Sequence, residues 1–204
     1  MCLAEPVNPP RPTDRTDGAQ PAWGDASDSD LAVAAALGDS DAFTEIFHRH
    51  GHGMYRYAVR MMDGDHAAAQ DVVQEAWTKA WQGLPKFRDE AQLSTWLFRI
   101  TANEALSARR RRRPRPADDQ LLEQLSRTDR DTTVEGAHSL QLQRALDQSL
   151  LELPWRQRAT WILREMEGMS YVQIAEILRT NPTVVRGQLH RARRTLAVKM
   201  VQWS

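Results

Sequence analysis

The chain's 204 residues are enough for one or two modest hydrophobic cores, and helix formers that far outnumber its 10 glycines predict an all-α, two-lobed protein. Its formal net charge of zero speaks against an evenly charged nucleic-acid binder, but acids crowd the N-terminal tail and the middle and none follows Glu176, which leaves a basic C-terminal end. The one cysteine, Cys2, excludes an internal disulfide; with no apolar run long enough for a bilayer and no signal-peptide pattern, a cytoplasmic protein is expected.

Residues 1–29 are proline- and aspartate-rich and almost without apolar pattern, so they read as a disordered tail in which Trp23 is a stray aromatic. Asp30 can cap a first helix carrying Leu31, Ala34, Ala35 and Leu37 inward, ended near Gly38. Asp41 opens a second, with Phe43, Ile46, Phe47 and His50 on one stripe and Tyr55, Ala58, Val59 and Met62 continuing it. Asp63-Gly64-Asp65 is a turn. His48, His50, His52 and His66 invite a metal reading. Alternating histidines cannot all point one way on a helix, however, and no cysteine or inward carboxylate completes a tetrahedral set, so no metal and no cofactor are expected.

The stretch from Asp71 to Arg113 holds most of the information. Its first helix puts Val73, Ala76, Trp77, Ala80 and Leu84 on one face and Asp71, Gln74, Glu75 and Thr78 on the other, which on physics alone is a wet surface. Its second begins near Ser94, a suitable N-cap, and turns Leu97, Ile100, Thr101, Ala105 and Ala108 inward. Trp96, Arg99, Asn103 and Arg110 share an adjoining stripe. A flat aromatic face, an amide able to read a base edge and guanidinium groups for phosphates are the parts of a single-stranded nucleic-acid platform. Taken alone, Trp96 would be core. The run Arg109 to Arg113 with Arg115 moves the balance, because such self-repulsion calls for an anion or for a solvated tail.

Residues 114–133 form a proline-interrupted acidic linker. Val134 to Met166 reads as two helices broken at Pro154, with Leu140, Leu146 and Leu150 on the first and Ala159, Ile162 and Leu163 on the second. Gly168 ends this segment, Ser170 and Gln173 make a capping box, and Ile174, Ala175 and Leu178 form the buried stripe of a short helix. Asn181 caps the next helix, with Pro182 at its first position. There Val185, Leu189, Ala192 and Leu196 face inward and Thr183, Arg186, His190, Arg193 and Arg194 outward, the pattern of a helix-turn-helix whose second helix enters the major groove.

Three stretches resemble one family. D-V-V-Q-E-A-W from Asp71, K-F-R from Lys86, and S-T-W-L-F-R-I-T-A-N-E-A-L-S-A-R-R-R from Ser94 look like region two of an extracytoplasmic-function (group four) sigma factor of the sigma-70 family. Leu153 to Arg158 resembles the L-P-x-x-Q-R opening of its fourth region. Ser170, Tyr171, Ile174, Ala175, Glu176, Leu178, Val185, Leu189, His190, Arg191, Ala192 and Arg193 match that region's helix-turn-helix. Three departures stand out: Arg179 replaces the turn glycine, Thr183-Val184 the usual Gly-Thr, and Gly187-Gln188 the usual Ser-Arg.

The resemblance implies two small helical domains, 30–113 and 134–204, joined by a flexible linker that threads into the polymerase cleft. It implies a subunit that directs core RNA polymerase to promoter DNA and helps open it. Asp71, Gln74 and Glu75 would dock on the β′ clamp, and the β flap is the other polymerase contact. Phe87, Arg88, Trp96 and Asn103 would capture unstacked bases of the minus-ten element, with Arg109 and Arg110 on phosphates. Thr183, Arg186, His190, Arg191 and Arg194 would serve the minus-thirty-five element. The family is commonly held by an anti-sigma factor, although nothing in these residues marks that contact; no direct insertion in a membrane is implied. A stand-alone helix-turn-helix regulator would explain the C-terminal third but leave the Asp71 helix and the Trp96 stripe without purpose. A nucleic-acid enzyme would need a carboxylate cluster or nucleophile-base pair that the sequence does not offer.

Overall fold

The structure, a computed structural model, describes residues 23–87, 92–112 and 134–200. Arg88, the tail up to residue 22, the linker, Arg113 and Arg115 lie outside the described residues. Every regular element among those described is helical.

α1 spans Asp28–Ala36 and is capped by Ser27, whose hydroxyl accepts from the Asp30 amide at 3.1 Å. Asp30 therefore sits in the first turn, where a negative charge suits the helix dipole, instead of at the cap. Leu37, expected inward, is 86% exposed, because it lies beyond the last helical turn, where helical spacing no longer decides direction. Trp23 is also not a stray. It begins a 3-10 turn, packs against the core, and is tied to α2 by Arg49, which donates to the carbonyls of Trp23, Gly24 and Ala26 at 2.8, 2.9 and 2.6 Å.

α2, Ser40–Met61, is capped by Asp39, two residues ahead of the expected Asp41, and runs unbroken through Gly51 and Gly53. Asp63 and Gly64 adopt positive φ, 58° and 83°, and hand the chain to Asp65, the cap of α3, His66–Gly83. The hydrogen bond from the Ala68 amide, and after it Arg112, holds the Asp65 carboxyl below its ordinary value of 3.8. α4, Leu93–Arg112, starts one residue before Ser94, which lies in its first turn. Two of the histidines make polar side-chain contacts, His50 with Asp28 and His66 with Tyr55, each at 2.9 Å.

These helices close on Ile46, Met54, Tyr57, Val72, Trp77 and Leu97, all nearly inaccessible. Phe98 and Glu104 of α4 are buried too, whereas Ile100 and Ala108 are only half-buried, so the inward stripe is broader and slightly rotated from the one expected.

The second set comprises α5 (Val134–Leu151), α6 (Trp155–Trp161) running on into a π turn (Ile162–Met166), α7 (Tyr171–Ile177) and α8 (Pro182–Met200). Leu150, Leu153, Ala192 and Leu196 form a small core of their own. Ile162, Leu163, Ile174, Ile177 and Val185 belong instead to an apolar cluster continuous with α1–α4. The two helical units are thus packed together and not merely tethered.

Polar contacts line that junction. Arg56 meets Glu167, Arg60 meets Asp147 and Arg99 meets Glu176, each at 2.9 Å. Arg158 of the L-P-x-x-Q-R stretch is 5% exposed and reaches the Arg60 carbonyl and the Asp63 carboxylate. A Cβ on Gly53 would stand 2.7 Å from Glu167 Oε2, so this helix-interior glycine is the seat of the Glu167 carboxylate.

Candidate nucleic-acid interface

On α3 the polar face is as the spacing predicts, with Asp71, Gln74, Glu75 and Thr78 exposed; Ala76, Trp77 and Ala80 are buried as expected, but Val72 is buried in place of Val73, which is half-buried. Lys79 organises its edge, with Nζ 3.3 Å from Glu75 and 2.8 Å from Glu104. The Glu104 contact, ahead of Glu75, holds the Lys79 ammonium above its ordinary range. Glu104 is 8% exposed and was not among the sequence candidates, although its spacing of seven from Leu97 puts it on the inward stripe. An open cleft of about 530 Å³ between α3 and α4 is lined by Asp71, Glu75, Lys79, Glu104, Arg111 and Arg112.

α4 carries the aromatic part. Trp96 is half-buried, its ring edge lying over Gly83, where a Cβ would come within 3.0 Å. Phe87, at the end of the Leu84–Lys86 turn, places its ring 5.1 Å from that of Trp96 at 48°. A residue of the short turn and one of α4 thus form one aromatic corner, with Asn103 half-buried and Arg110 exposed along the same face of α4. Arg99 shares the stripe but is drawn to Glu176, and Arg112 to Asp65 at 2.7 Å. Arg109 is half-buried and Arg111 exposed, so the basic end of the helix is partly neutralised by the fold and partly open.

In the C-terminal unit the Ser170–Gln173 capping box opens α7. The turn manages without glycine: Arg179 takes φ 49°, and the Thr180 amide closes the helix end on the Ala175 carbonyl at 2.8 Å. Asn181 Oδ1 accepts from the Val184 amide at 2.9 Å and starts α8 at Pro182. Val185, Leu189, Ala192 and Leu196 are buried, and Thr183, Arg186, His190, Arg191 and Arg194 are all exposed. Arg193 is held at 2.6 Å by Glu165 of the π turn.

An aromatic and basic helix face in one unit and a helix-turn-helix with an acid-free, arginine-rich second helix in the other mark a DNA-binding protein, each unit offering a candidate grip. Comparison with known proteins narrows the class. Residues 46–115 match the Sigma-70 region 2 family and residues 143–196 match Sigma-70, region 4. The chain is 33% identical over 171 residues to ECF RNA polymerase sigma factor SigM of Mycobacterium tuberculosis, covering 84% of this chain and 83% of that one. It is 32% identical over 183 residues to the ECF RNA polymerase sigma-E factor of Escherichia coli, covering 85% and 94%. Its fold matches that of CnrH in complex with the cytosolic domain of CnrY, with a TM-score of 0.66 and 28% identity over 87% of this chain and 99% of that one. The chain belongs to the extracytoplasmic-function sigma factors of the sigma-70 family. No helix among the described residues is long and apolar enough to cross a membrane.

Proposed function

We infer that this chain is a dissociable promoter-specificity subunit: it binds core RNA polymerase in the cytoplasm, directs it to particular promoters and helps open the DNA, with no covalent chemistry of its own. The observation that carries this reading is the presence, in one chain, of the Phe87–Trp96 corner on a basic helix and a separate helix-turn-helix. A stand-alone regulator uses the second and has no work for the first.

Asp71, Gln74 and Glu75 are the proposed clamp-binding face, and their exposure beside a lysine-braced edge supports that use. Phe87, Trp96 and Asn103, with Arg88, are the proposed minus-ten pocket, and Arg109 and Arg110 its phosphate contacts. Unstacking a base step costs a few kcal/mol, and stacking on an aromatic returns about 1–3 kcal/mol per base, so an aromatic corner is a sufficient trap. Thr183, Arg186, His190, Arg191 and Arg194 are the proposed minus-thirty-five readers. CnrH is solved with the cytosolic domain of another protein. By extension, an anti-sigma factor is the proposed keeper of this chain.

Asn103→Ala tests the division of labour. It should slow open-complex formation, followed by permanganate reactivity of unpaired thymines, while leaving the affinity for core polymerase intact. Equal loss of both would contradict the assignment.

A further inference from the structure

The outward face of α8 is centred on a residue with no side chain. Gly187 lies between Thr183 and His190 on the strip opposite Val185, Leu189 and Ala192, with Arg191 one turn on and Val184 one turn back. Glycine is, after proline, the worst residue for a helix interior, so its presence calls for a reason. At five other glycines that reason is visible. Gly53 and Gly83 leave room for Glu167 and Trp96 at 2.7 and 3.0 Å from the built Cβ, and Gly38, Gly64 and Gly168 have positive φ. Gly51 is the exception, since a Cβ there would make only an ordinary contact with the half-exposed Phe47 ring, at 3.8 Å.

At Gly187 no such demand exists. A Cβ there would meet only the guanidinium of the exposed Arg191, at 3.6 to 4.0 Å, an ordinary contact with a side chain that can swing away. The backbone is helical and a methyl would fit. Nothing within the described residues therefore calls for a bare backbone at the centre of this outward face. Beside it Val184, 38% exposed, puts an apolar group among the basic and polar side chains of the strip, as the more exposed Val198 does further along α8.

We propose that Gly187 is where α8 comes closest to the floor of the major groove, and that Val184 beside it reads a thymine methyl of the minus-thirty-five element. This rests on the reading of α8 as the groove-entering helix. A helix with its side chains is about 10–12 Å across and the groove about 12 Å wide, so removing a side chain at the leading edge lets the backbone sit deeper. Thymine's C5 methyl is the apolar feature of the groove's edge pattern, and a valine is a fitting partner for it. Arg186, Arg191 and Arg194 flank the notch and are placed for phosphates and base edges at that closer approach.

The test uses holoenzyme reconstituted from core polymerase and the full chain, with selection from duplexes randomised upstream of the minus-ten element. The wild type should select a thymine-containing element. Gly187→Ala should raise the melting temperature of the free protein by roughly 4 °C, since alanine is the better helix former, yet lower binding to the selected element by about tenfold. Replacing the key thymidine by deoxyuridine should weaken wild-type binding several-fold and leave Val184→Ala indifferent to the exchange. Gly187→Ala that is stabilised, binds as tightly and selects the same element would overturn the proposal, as would a wild type indifferent to the methyl. A wild-type holoenzyme that selects no upstream element would overturn the reading of α8 itself, a failure distinct from either of these.

Discussion

Arg179 shows how a residue with a side chain can hold a turn that glycine would hold more easily. The turn between α7 and α8 needs a left-handed residue, and Arg179 supplies φ 49° at the steric cost that a Cβ incurs there. Arg179→Gly should therefore stabilise the protein by about 1 kcal/mol, less the extra freedom glycine has when unfolded. In urea titration the midpoint should rise with the slope unchanged; a lower midpoint would mean that the arginine makes a contact worth more than the strain. Gly53 is the converse, a residue whose helix penalty is offset by the carboxylate it seats. Both were in plain sight in the sequence, Arg179 as a missing turn glycine and Gly53 as a glycine in a helix. Only for Arg179 could the consequence be foreseen, because the turn is local whereas Glu167 reaches Gly53 from a distant element.

At the scale of elements, α3 and α4 are coupled through Lys79. Its ammonium bridges the exposed Glu75 of the proposed polymerase face and the buried Glu104 of the proposed DNA-facing helix. Removing the lysine leaves a carboxylate at 8% exposure without its cation, so Lys79→Met should destabilise by about 1–3 kcal/mol. The double variant Lys79→Met/Glu104→Leu should recover most of that, because the uncompensated charge goes with it. Thermal unfolding of the single and double variants checks this, and simple additivity would show that the pair is not coupled. The sequence marked α3's polar face and α8's inward and outward residues correctly, because a helix with a clear apolar stripe leaves little choice; between the adjacent Val72 and Val73 of α3 it chose the wrong valine as the buried one. It placed caps at Asp30, Asp41 and Ser94 that fall at Ser27, Asp39 and near Leu93, because competing Asp and Ser residues lie within one turn of each start. It ranked Trp96 as core when considered alone, and the ring is indeed half-buried against the apolar cluster. The Phe87 ring that makes it a corner comes from a separate turn, which helical spacing cannot register.

For the whole molecule, composition and the broken charge pattern indicated two helical units, and the helix order followed. The apolar continuity between the units was not legible, since Ile162, Leu163 and Ile174 read as the core of one unit alone. In this arrangement Glu176 and Gln173 of α7 touch Arg99 and Gln92 at the start of the proposed minus-ten helix, so the two grips lie against each other. Gly53→Ala should force Glu167 off its seat beside Arg56 and lower stability by about 1–3 kcal/mol, with a larger radius of gyration in small-angle scattering as the junction loosens. An unchanged radius and stability would mean that the junction has slack to absorb a methyl. The central claim is that both grips serve one promoter. Its most direct test is transcription by core polymerase, with and without the protein, on a pool of genomic fragments, with start sites read out. New starts that appear only with the protein and share two upstream motifs at a fixed spacing are the predicted result. No new starts, from a protein that nonetheless binds one duplex tightly without polymerase, would contradict it and favour a stand-alone regulator.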